Sequence, residues 1–528
     1  MFHINSKENK PNIPEMKETM SKLMQRGIRL NDCNKLYTYY ATLRDTLATN
    51  FTSKYGVANP NSPKQIVEYI SNLSSKIDPN SRNDIINICF DDQAGKWTTN
   101  ADAMQALAGI GYTFAQDLLD YRHAKKYAES IEGIVKYADK DGLVHPQVSL
   151  NKTNRISYSN PGLMTIPKKL LWHMIAPYTP GNILYSADIK NQEPSILINM
   201  TNATELKYAL QSEEGLYETM FAQCFQPIAI ANVMFDTFME DKRYTISEIK
   251  ALGNSISPAS YAAKRPMTNG VFYKGEKVVA IETVCIGCSK GVMPDLPKTV
   301  EIETEAGKIY DVEVEWEDCT KMLRKSADYS VTGKLKGLDI VISPAERKEF
   351  KTSYNAITYG QSKIGTEMYC KIIDGKRVYD YITGIDAIKK YRKQIHEMAY
   401  QRVAGIRTIF GTPIVAGEED NVRRLERILL DIPIQGTGAD ILSLLIKRVD
   451  DYCTEKGIYG KIKVYYTRHD EVILEVDKEW HDKNGDAAVE AIIRDMLEHQ
   501  IDDWIPFKLE VNKTQAVDLG LNLGDDDE

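Results

Sequence analysis

Residues 461–476 read KIKVYYTRHDEVILEV, two strand-like runs flanking the charged tip Arg468-His469-Asp470-Glu471. The pattern predicts a β-hairpin that ends in charge. A second apolar run, GNILYSAD at 181–188, also ends in a carboxylate, Asp188. Asn191-Gln192-Glu193-Pro194 follows, and proline suits the first turn of a helix. The local expectation is strand, tight turn, helix, with Asp188 at the end of the strand.

Outward from these segments, residues 1–30 are polar and read as a short lead-in. Helical patterns dominate from about Cys33 to Lys136, with helix starts at Ser62-Pro63 and at Thr99 or Asn100. Asp141-Gly142 reads as a turn between short strands. From about 267 to 342 the pattern changes: GVFYKGEKVVAIETV (270–284) and KTVEIETEAGKIYDVEVEW (298–316) alternate with period two around Lys274-Gly275 and Ala306-Gly307 turns. This is expected to be a small β-rich insertion. Ser343-Pro344-Ala345-Glu346 then opens a helix with a capping box and proline at its first position. The tail Asp525–Glu528 is acidic.

The chain has 528 residues, a net charge of −8, 43 % apolar and 27 % charged residues. That excludes a wholly disordered chain and leaves room for a large core. Eight scattered cysteines exclude a disulfide scaffold and fit a reducing compartment. No apolar run approaches the ~20 residues that cross a bilayer, and the N-terminus lacks the layout of a signal peptide. A soluble cytoplasmic protein without a membrane partner is expected. The acidic balance argues mildly against a nucleic-acid binder, though a basic cleft can sit inside an acidic shell.

Two constellations carry chemistry. Asp188 and Asp470, at the tips of strands far apart in sequence, can hold two Mg²⁺ ions about 4 Å apart for in-line attack at phosphorus. Taken singly, each could do no more than terminate a strand. Arg347, Lys351, Asn355 and Tyr359 are spaced by four on the capped helix and share one stripe, and Gly360 can end that helix in a left-handed conformation. Two cations, a polar residue and an aromatic suit a triphosphate followed by a base. A solvated basic face is the alternative.

These segments resemble family A DNA polymerases, the DNA polymerase I type. SADIKNQEPSI (186–196) is similar to their first palm motif, RHDEVILEV (468–476) to their second, and RKEFKTSYNAITYG (347–360) to their fingers helix. TNRISYSNPGLMTIP (153–167), LERILLDIPIQGTGADI (425–441) and the stretches NSPKQI, WTTNADAM and LLDYRHAKK agree in the family's order. The resemblance implies an α+β fold, a right-hand polymerase: a helical thumb at 31–150, an antiparallel-sheet palm at 151–205 and 401–528, and helical fingers at 206–400 carrying the insertion. It implies DNA-templated addition of deoxynucleoside triphosphates to a primer. Asp188, Asp470 and the Ile189 carbonyl would hold two Mg²⁺ ions, with Glu471 in support. Glu193 would select deoxynucleotides, and Arg347 and Lys351 would bind the triphosphate. Asn355, Tyr359 and Gly360 would shape the nucleotide pocket. Arg155, Arg427, Gln435 and His469 would touch the primer–template end, and Arg122 and Lys126 would grip phosphates.

Asn355 departs from the family's usual Phe or Tyr, Ile189-Lys190-Asn191 from Tyr-Ser-Gln, Ser195 from an arginine and Asn154 from a glycine. The thumb-like pattern begins near Met1, so a chain without its own proofreading exonuclease is expected, of bacteriophage type in a bacterial host. A separate exonuclease or processivity protein would then be a partner, and the chain itself a monomer. Single-subunit RNA polymerases and a non-catalytic primer–template binder are the rival readings. A metal nuclease would not need the Arg347–Tyr359 stripe. Cys285 and Cys288 offer a zinc-like spacing, but only Cys319 could be a third ligand, so zinc is not expected. Lys389, Lys390, Arg392 and Lys393 form a basic helical patch that either guides template phosphates or is simply solvated.

Overall fold

The computed structural model describes residues 10–76, 79–91, 95–235, 242–243, 264–266, 270–288, 292–318, 329–370, 372–403, 405–415, 419, 421–498 and 507–513. The start of the lead-in, Cys319 and the acidic tail lie outside the described residues. The chain is mixed helix and sheet, as expected, and divides into two compact units. The first comprises residues 1–192, 407–415 and 433–528, the second residues 193–406 and 416–432.

In chain order the principal elements are helices α1 (Ile13–Arg26), α2 (Cys33–Tyr55), α3 (Pro63–Ser74), α4 (Ala101–Gly109), α5 (Thr113–Val135) and α6 (Lys168–Met174), then strand β1 (Ile183–Ile189). Helices α7 (Gln192–Thr201) and α8 (Leu216–Cys224) follow, then strands β2 (Ile228–Phe235), β3 (Glu276–Cys288), β4 (Thr299–Thr304), β5 (Ile309–Trp316) and β6 (Tyr329–Leu335). The rest are helices α9 (Pro344–Thr358), α10 (Gly375–Gly384), α11 (Asp386–Tyr400) and α12 (Val422–Glu455), strands β7 (Ile462–Arg468) and β8 (Glu471–Val476), and strand β9 (Leu509–Lys513).

In the first unit, α5 buries Phe114, Leu118, Tyr121, Ala124, Ala128 and Ile131, a three-four spacing that keeps one face on the core. Phe114 and Leu118 join Phe51, Ile66, Ile70, Met104 and Leu107 in one cluster. Burying each such side chain contributes roughly 1.5–3 kcal/mol. Ser62 caps α3 by accepting from the Gln65 N–H, and Asn100, not Thr99, caps α4 by accepting from the Ala103 N–H. The lead-in reading of residues 1–30 is corrected. Asn12 caps a helix there, and Ile13, Met16, Met20 and Met24 bury one stripe of it. Asp141-Gly142 follows a helix rather than a strand, and the strand after it, Leu143–Val144, pairs with Ile28–Leu30.

The sheet of the first unit has the order β7-β8-β1-β9 with every neighbour antiparallel. All six residues of β8 are buried, so EVILEV is a central strand covered on both faces and shows no alternation. Helix α12 is long and apolar enough to cross a bilayer by length and composition, contrary to the sequence reading. Of its most apolar window, 83 % is buried inside the protein, as in a core helix.

In the second unit, α8, α9 and α10 close around Met220, Phe221, Phe350, Tyr354, Ile357, Val378 and Ile382. The β-rich insertion has its own core, including Val233, Val278, Ile281, Val300, Ile302, Val312 and Val331. Its pairings run in a circuit, β2–β6–β5–β4–β3 and back to β2. Four of these pairs are antiparallel and β3–β2 is parallel, the consequence of closing an odd number of strands. The circuit takes in Ile228–Phe235, ahead of residue 267 where alternation first shows in the sequence. This strand escapes the alternation pattern because Ala229, Ala231 and Val233 are buried beside other apolar residues.

Candidate active site

In the first unit the register of the sheet brings the expected carboxylates together. Glu471 on β8 lies directly opposite Asp188 on β1, and Arg468 pairs with Glu471 across the β7–β8 turn. Asp470 therefore sits in that turn beside Glu471. His469 takes the left-handed conformation, φ 52°, that so tight a link requires. Ile189 pairs with Leu509 on β9, which fixes the backbone after Asp188.

Lysine 168, which the sequence reading passed over, completes this cluster. Its Nζ donates to Asp188 Oδ2 at 2.6 Å and lies 3.1 Å from Glu471 Oε1. The Glu471 side chain is 3 % exposed, and leaving such a carboxylate unpaired costs roughly several kcal/mol. The Ser186 hydroxyl also donates to it. Burial pushes the Glu471 pKa up, while Lys168 and Ser186 pull it back. Burial alone would lower the Lys168 pKa, but Glu471 and Asp188 outweigh it and the pKa is raised. Lys168 is the first residue of α6, where the helix dipole disfavours a cation by roughly 0.3–1 kcal/mol. That local misfit is the sequence signal that could have found it.

The donors at this point are carboxylates and a backbone carbonyl, hard oxygens of the kind Mg²⁺ takes. An ammonium already settles between Asp188 and Glu471, so the position attracts positive charge. Among the described residues no cluster of three or more His, Cys, Asp or Glu is arranged to hold a metal. The residues present fit an ion that completes its shell with water and substrate oxygens.

Beside the carboxylates, Asn151 organises the turn before Arg155. Its Oδ1 accepts from the Thr153 and Arg155 N–H groups at 2.9 and 3.0 Å. Asn154 has φ 60°, a conformation asparagine tolerates, so replacing glycine there keeps the turn. The Thr153 hydroxyl donates to Gln435 Oε1 at 3.4 Å, which ties Gln435 to the Arg155 turn. Nearby on α12, Asp440 is fully buried and accepts from the Thr412 hydroxyl at 2.8 Å. Burial raises its pKa to about 6. Burial, then the Arg468 and Arg155 guanidiniums, hold His469 below the usual imidazole range. Lys126 is exposed. Arg122 is half-buried and donates to the Thr99 carbonyl and hydroxyl, so its guanidinium ties α5 to the start of α4.

In the second unit, helix α9 has the full capping box between Ser343 and Glu346. Phe350, Tyr354 and Ile357 are buried, which leaves Arg347, Lys351 and Asn355 partly exposed. Arg347 is paired with Glu218, and its guanidinium lies 5.8 Å from the centre of the Tyr217 ring. Lys351 Nζ is 6.0 Å from the same ring, and Asn355 hydrogen-bonds Tyr217. Tyr217 and Glu218, on α8, carry no motif that would have marked them. The Tyr359 hydroxyl donates to Glu193, joining two candidate residues far apart in sequence. Gly360 has φ 93°, and a Cβ there would lie 3.0 Å from Arg427 Cγ and 3.1 Å from Leu430 Cδ1. Only glycine fits. In the basic patch of α11, Lys389, Lys390 and Lys393 are exposed, whereas Arg392 donates to the Ile357 carbonyl near the end of α9. Cys285 and Cys288 are buried, and the Cys288 thiol donates to the Val292 carbonyl at 3.0 Å.

Comparison with known proteins gives these residues a context. The description DNA polymerase family A matches residues 31–237 and 330–523, most of the chain. The chain belongs to DNA polymerase family A. The matched ranges of this family A chain contain Asp188, Glu193, Arg347, Lys351, Tyr359 and Asp470, and the interval between them falls within the insertion. Residues 281–338 of the insertion match the bacterial Ig-like domain (group 4). DNA polymerase I of Rhizobium leguminosarum is 28 % identical over 145 residues, 25 % of this chain and 14 % of that protein. DNA polymerase I of Lactococcus lactis subsp. cremoris is 27 % identical over 179 residues, 32 % of this chain and 20 % of that protein. The matched stretches thus span no more than a fifth of these relatives. The POL domain of Pol1 from M. smegmatis, in complex with DNA primer-template and dNTP, shares the fold with a TM-score of 0.58 and 17 % identity. That likeness covers 94 % of this chain and 69 % of that one.

Proposed function

We propose that this family A chain is a DNA-directed DNA polymerase that extends a primer with deoxynucleoside triphosphates. The observation that carries the reading is the register placing Asp188 opposite Glu471, one residue from the Asp470 turn. Helices α2 to α5 would be the thumb, the β7-β8-β1-β9 sheet the palm, and residues 206–400 the fingers. Two Mg²⁺ ions bound at Asp188, Asp470 and the Ile189 carbonyl would lower the pKa of the primer 3′-hydroxyl and neutralise the departing pyrophosphate.

The chain's own residues do the rest. Arg347 and Lys351 hold the triphosphate, and Lys351 steadies the charge that leaves with pyrophosphate. Glu193, held by the Tyr359 hydroxyl, fills the space a ribose 2′-hydroxyl would need. Gly360 lets the chain pass close to Arg427 beside the templating base. Arg155, Gln435 and His469 touch the primer–template end through contacts indifferent to sequence, as copying requires. Lys126 grips phosphate, and Arg122 positions the helix that carries it.

Primer extension on a defined template with Mg²⁺ tests this. Wild type and Asp470→Ala are each offered the four deoxynucleotides or the four ribonucleotides. Extension with deoxynucleotides only, lost in the variant, is the expected result. Extension with ribonucleotides would move the assignment to an RNA polymerase, and tight junction binding without extension would make the chain a non-catalytic binder.

A further inference from the structure

The catalytic carboxylates of a two-metal enzyme face a difficulty before the metals arrive. Glu471 is buried, Asp188 is its direct cross-strand neighbour, and two carboxylates so placed repel each other. In this chain the ammonium of Lys168 stands between them, 2.6 Å from Asp188 Oδ2 and 3.1 Å from Glu471 Oε1. Neither the helix dipole nor hydrophobic packing recommends a lysine at the first position of α6. The two carboxylates do.

We propose that Lys168 is a tethered counter-cation of the metal site: it occupies the charge position of the metal in the free chain and must leave for a metal to bind at Asp188. The proposal rests on the reading of Asp188 as a metal ligand. An ammonium 2.6 Å from Asp188 Oδ2 occupies one of the two oxygens Asp188 would offer a dication, and two cations on one carboxylate repel strongly at such range. The route out is open, since the side chains of Lys168 and Asp188 are 33 % and 27 % exposed. Lysine suits the role because its charge is compact and rides on a flexible four-carbon stem. Glu471 keeps the Ser186 hydroxyl after the exchange. Metal binding is therefore an exchange of cations rather than the filling of an open site, and Lys168 weakens metal affinity while holding the free site together.

The test is Mn²⁺ binding to the full chain without DNA or nucleotide, read from the electron paramagnetic resonance of free Mn²⁺. Lys168→Met is expected to bind Mn²⁺ about tenfold more tightly than wild type, within the usual range of coupling between two ligands. Lys168→Arg keeps the charge and should stay close to wild type. A second measurement needs no variant: acetylation of surface lysines, mapped by mass spectrometry with and without Mg²⁺. Lys168 should be protected in metal-free protein and labelled when Mg²⁺ is added. Equal or weaker Mn²⁺ affinity in Lys168→Met, or labelling of Lys168 that ignores Mg²⁺, would overturn the proposal. Asp188→Asn separates the two failures. If wild type binds Mn²⁺ at a site that Asp188→Asn abolishes, only the Lys168 role has failed. If Asp188→Asn binds Mn²⁺ as wild type does, the metal reading of Asp188 falls and the proposal falls with it.

Discussion

Arg347 already holds a carboxylate, Glu218, where the proposed reaction needs it to hold a triphosphate. A nucleotide must then take Arg347 from Glu218. The Arg347 side chain is 43 % exposed, and exposed pairs contribute about 0.2–1 kcal/mol, so the competition is modest. Glu218→Gln is expected to lower the KM for deoxynucleotides by no more than about fivefold with little change in kcat, measured by steady-state primer extension. Asp440 gives a pH signature. Burial raises its folded pKa to about 6, so between its unfolded value near 4 and about 6 the folded chain binds the extra proton. Stability from this group is full at low pH and falls as pH rises through about 6, by an order of magnitude of ~3 kcal/mol. Asp440→Asn, which keeps a neutral group beside Thr412, should flatten that slope in urea unfolding followed from pH 4 to 7. At this scale the sequence displays residues whose role is written in a local motif, such as Asp188 at a strand end or Arg347 and Lys351 on one helix face. Lys168 leaves only a faint trace, a cation at a helix start, and Tyr217 and Glu218 leave none, because what gives each its role is a partner brought near only by folding.

Helix α9 shows how an element can be read whole. Its start is encoded in four consecutive residues, Ser343 to Glu346, and its end in Gly360, whose φ of 93° and close approach to Arg427 exclude a side chain. The Ser343 hydroxyl accepts from the Glu346 N–H at 3.3 Å, and the Glu346 carboxylate accepts from the Ser343 N–H at 2.9 Å. Removing the hydroxyl with Ser343→Ala should cost about 1 kcal/mol in urea denaturation. Because Arg347 lies one turn from the cap, the same variant should also raise the KM for deoxynucleotides while leaving affinity for primer–template unchanged. Elements with such local punctuation are legible, as are the β7–β8 hairpin and the caps at Ser62 and Asn100. Those defined by burial are not. The first helix hides in a polar stretch because only Ile13 and three methionines form its buried stripe. Helix α12 looks membrane-like because its surroundings bury most of its surface.

Across the whole molecule, the insertion is the part whose removal is most informative. Its strand circuit begins at Ile228 and ends at Leu335, and Ile228 pairs with Lys334, so the chain leaves beside the point where it entered. Leu335 N lies 3.5 Å from the Pro227 carbonyl oxygen. Its core of Val233, Val278, Ile281, Val300, Ile302, Val312 and Val331 forms a cluster separate from that around Phe221, Phe350 and Ile382. A short Gly-Ser bridge from Pro227 to Lys336 should therefore close the gap without strain, and the excised chain should keep the melting behaviour of the remainder. The outer face of the insertion speaks to DNA as well. Glu301, Asp311 and Glu313 are exposed on β4 and β5, with Glu301 directly opposite Asp311, while Glu315 beyond them is paired with Lys336. Those three carboxylates repel phosphate, and exposed Lys334 on β6 and Lys336 just after it offset the effect in part. Primer–template affinity, read by fluorescence anisotropy, should be unchanged by excision at physiological ionic strength, where charges are screened beyond ~8 Å, and slightly tighter at low salt. Weaker binding at both salts would instead show that the insertion grips DNA, and loss of the folded state would show that the two cores depend on each other.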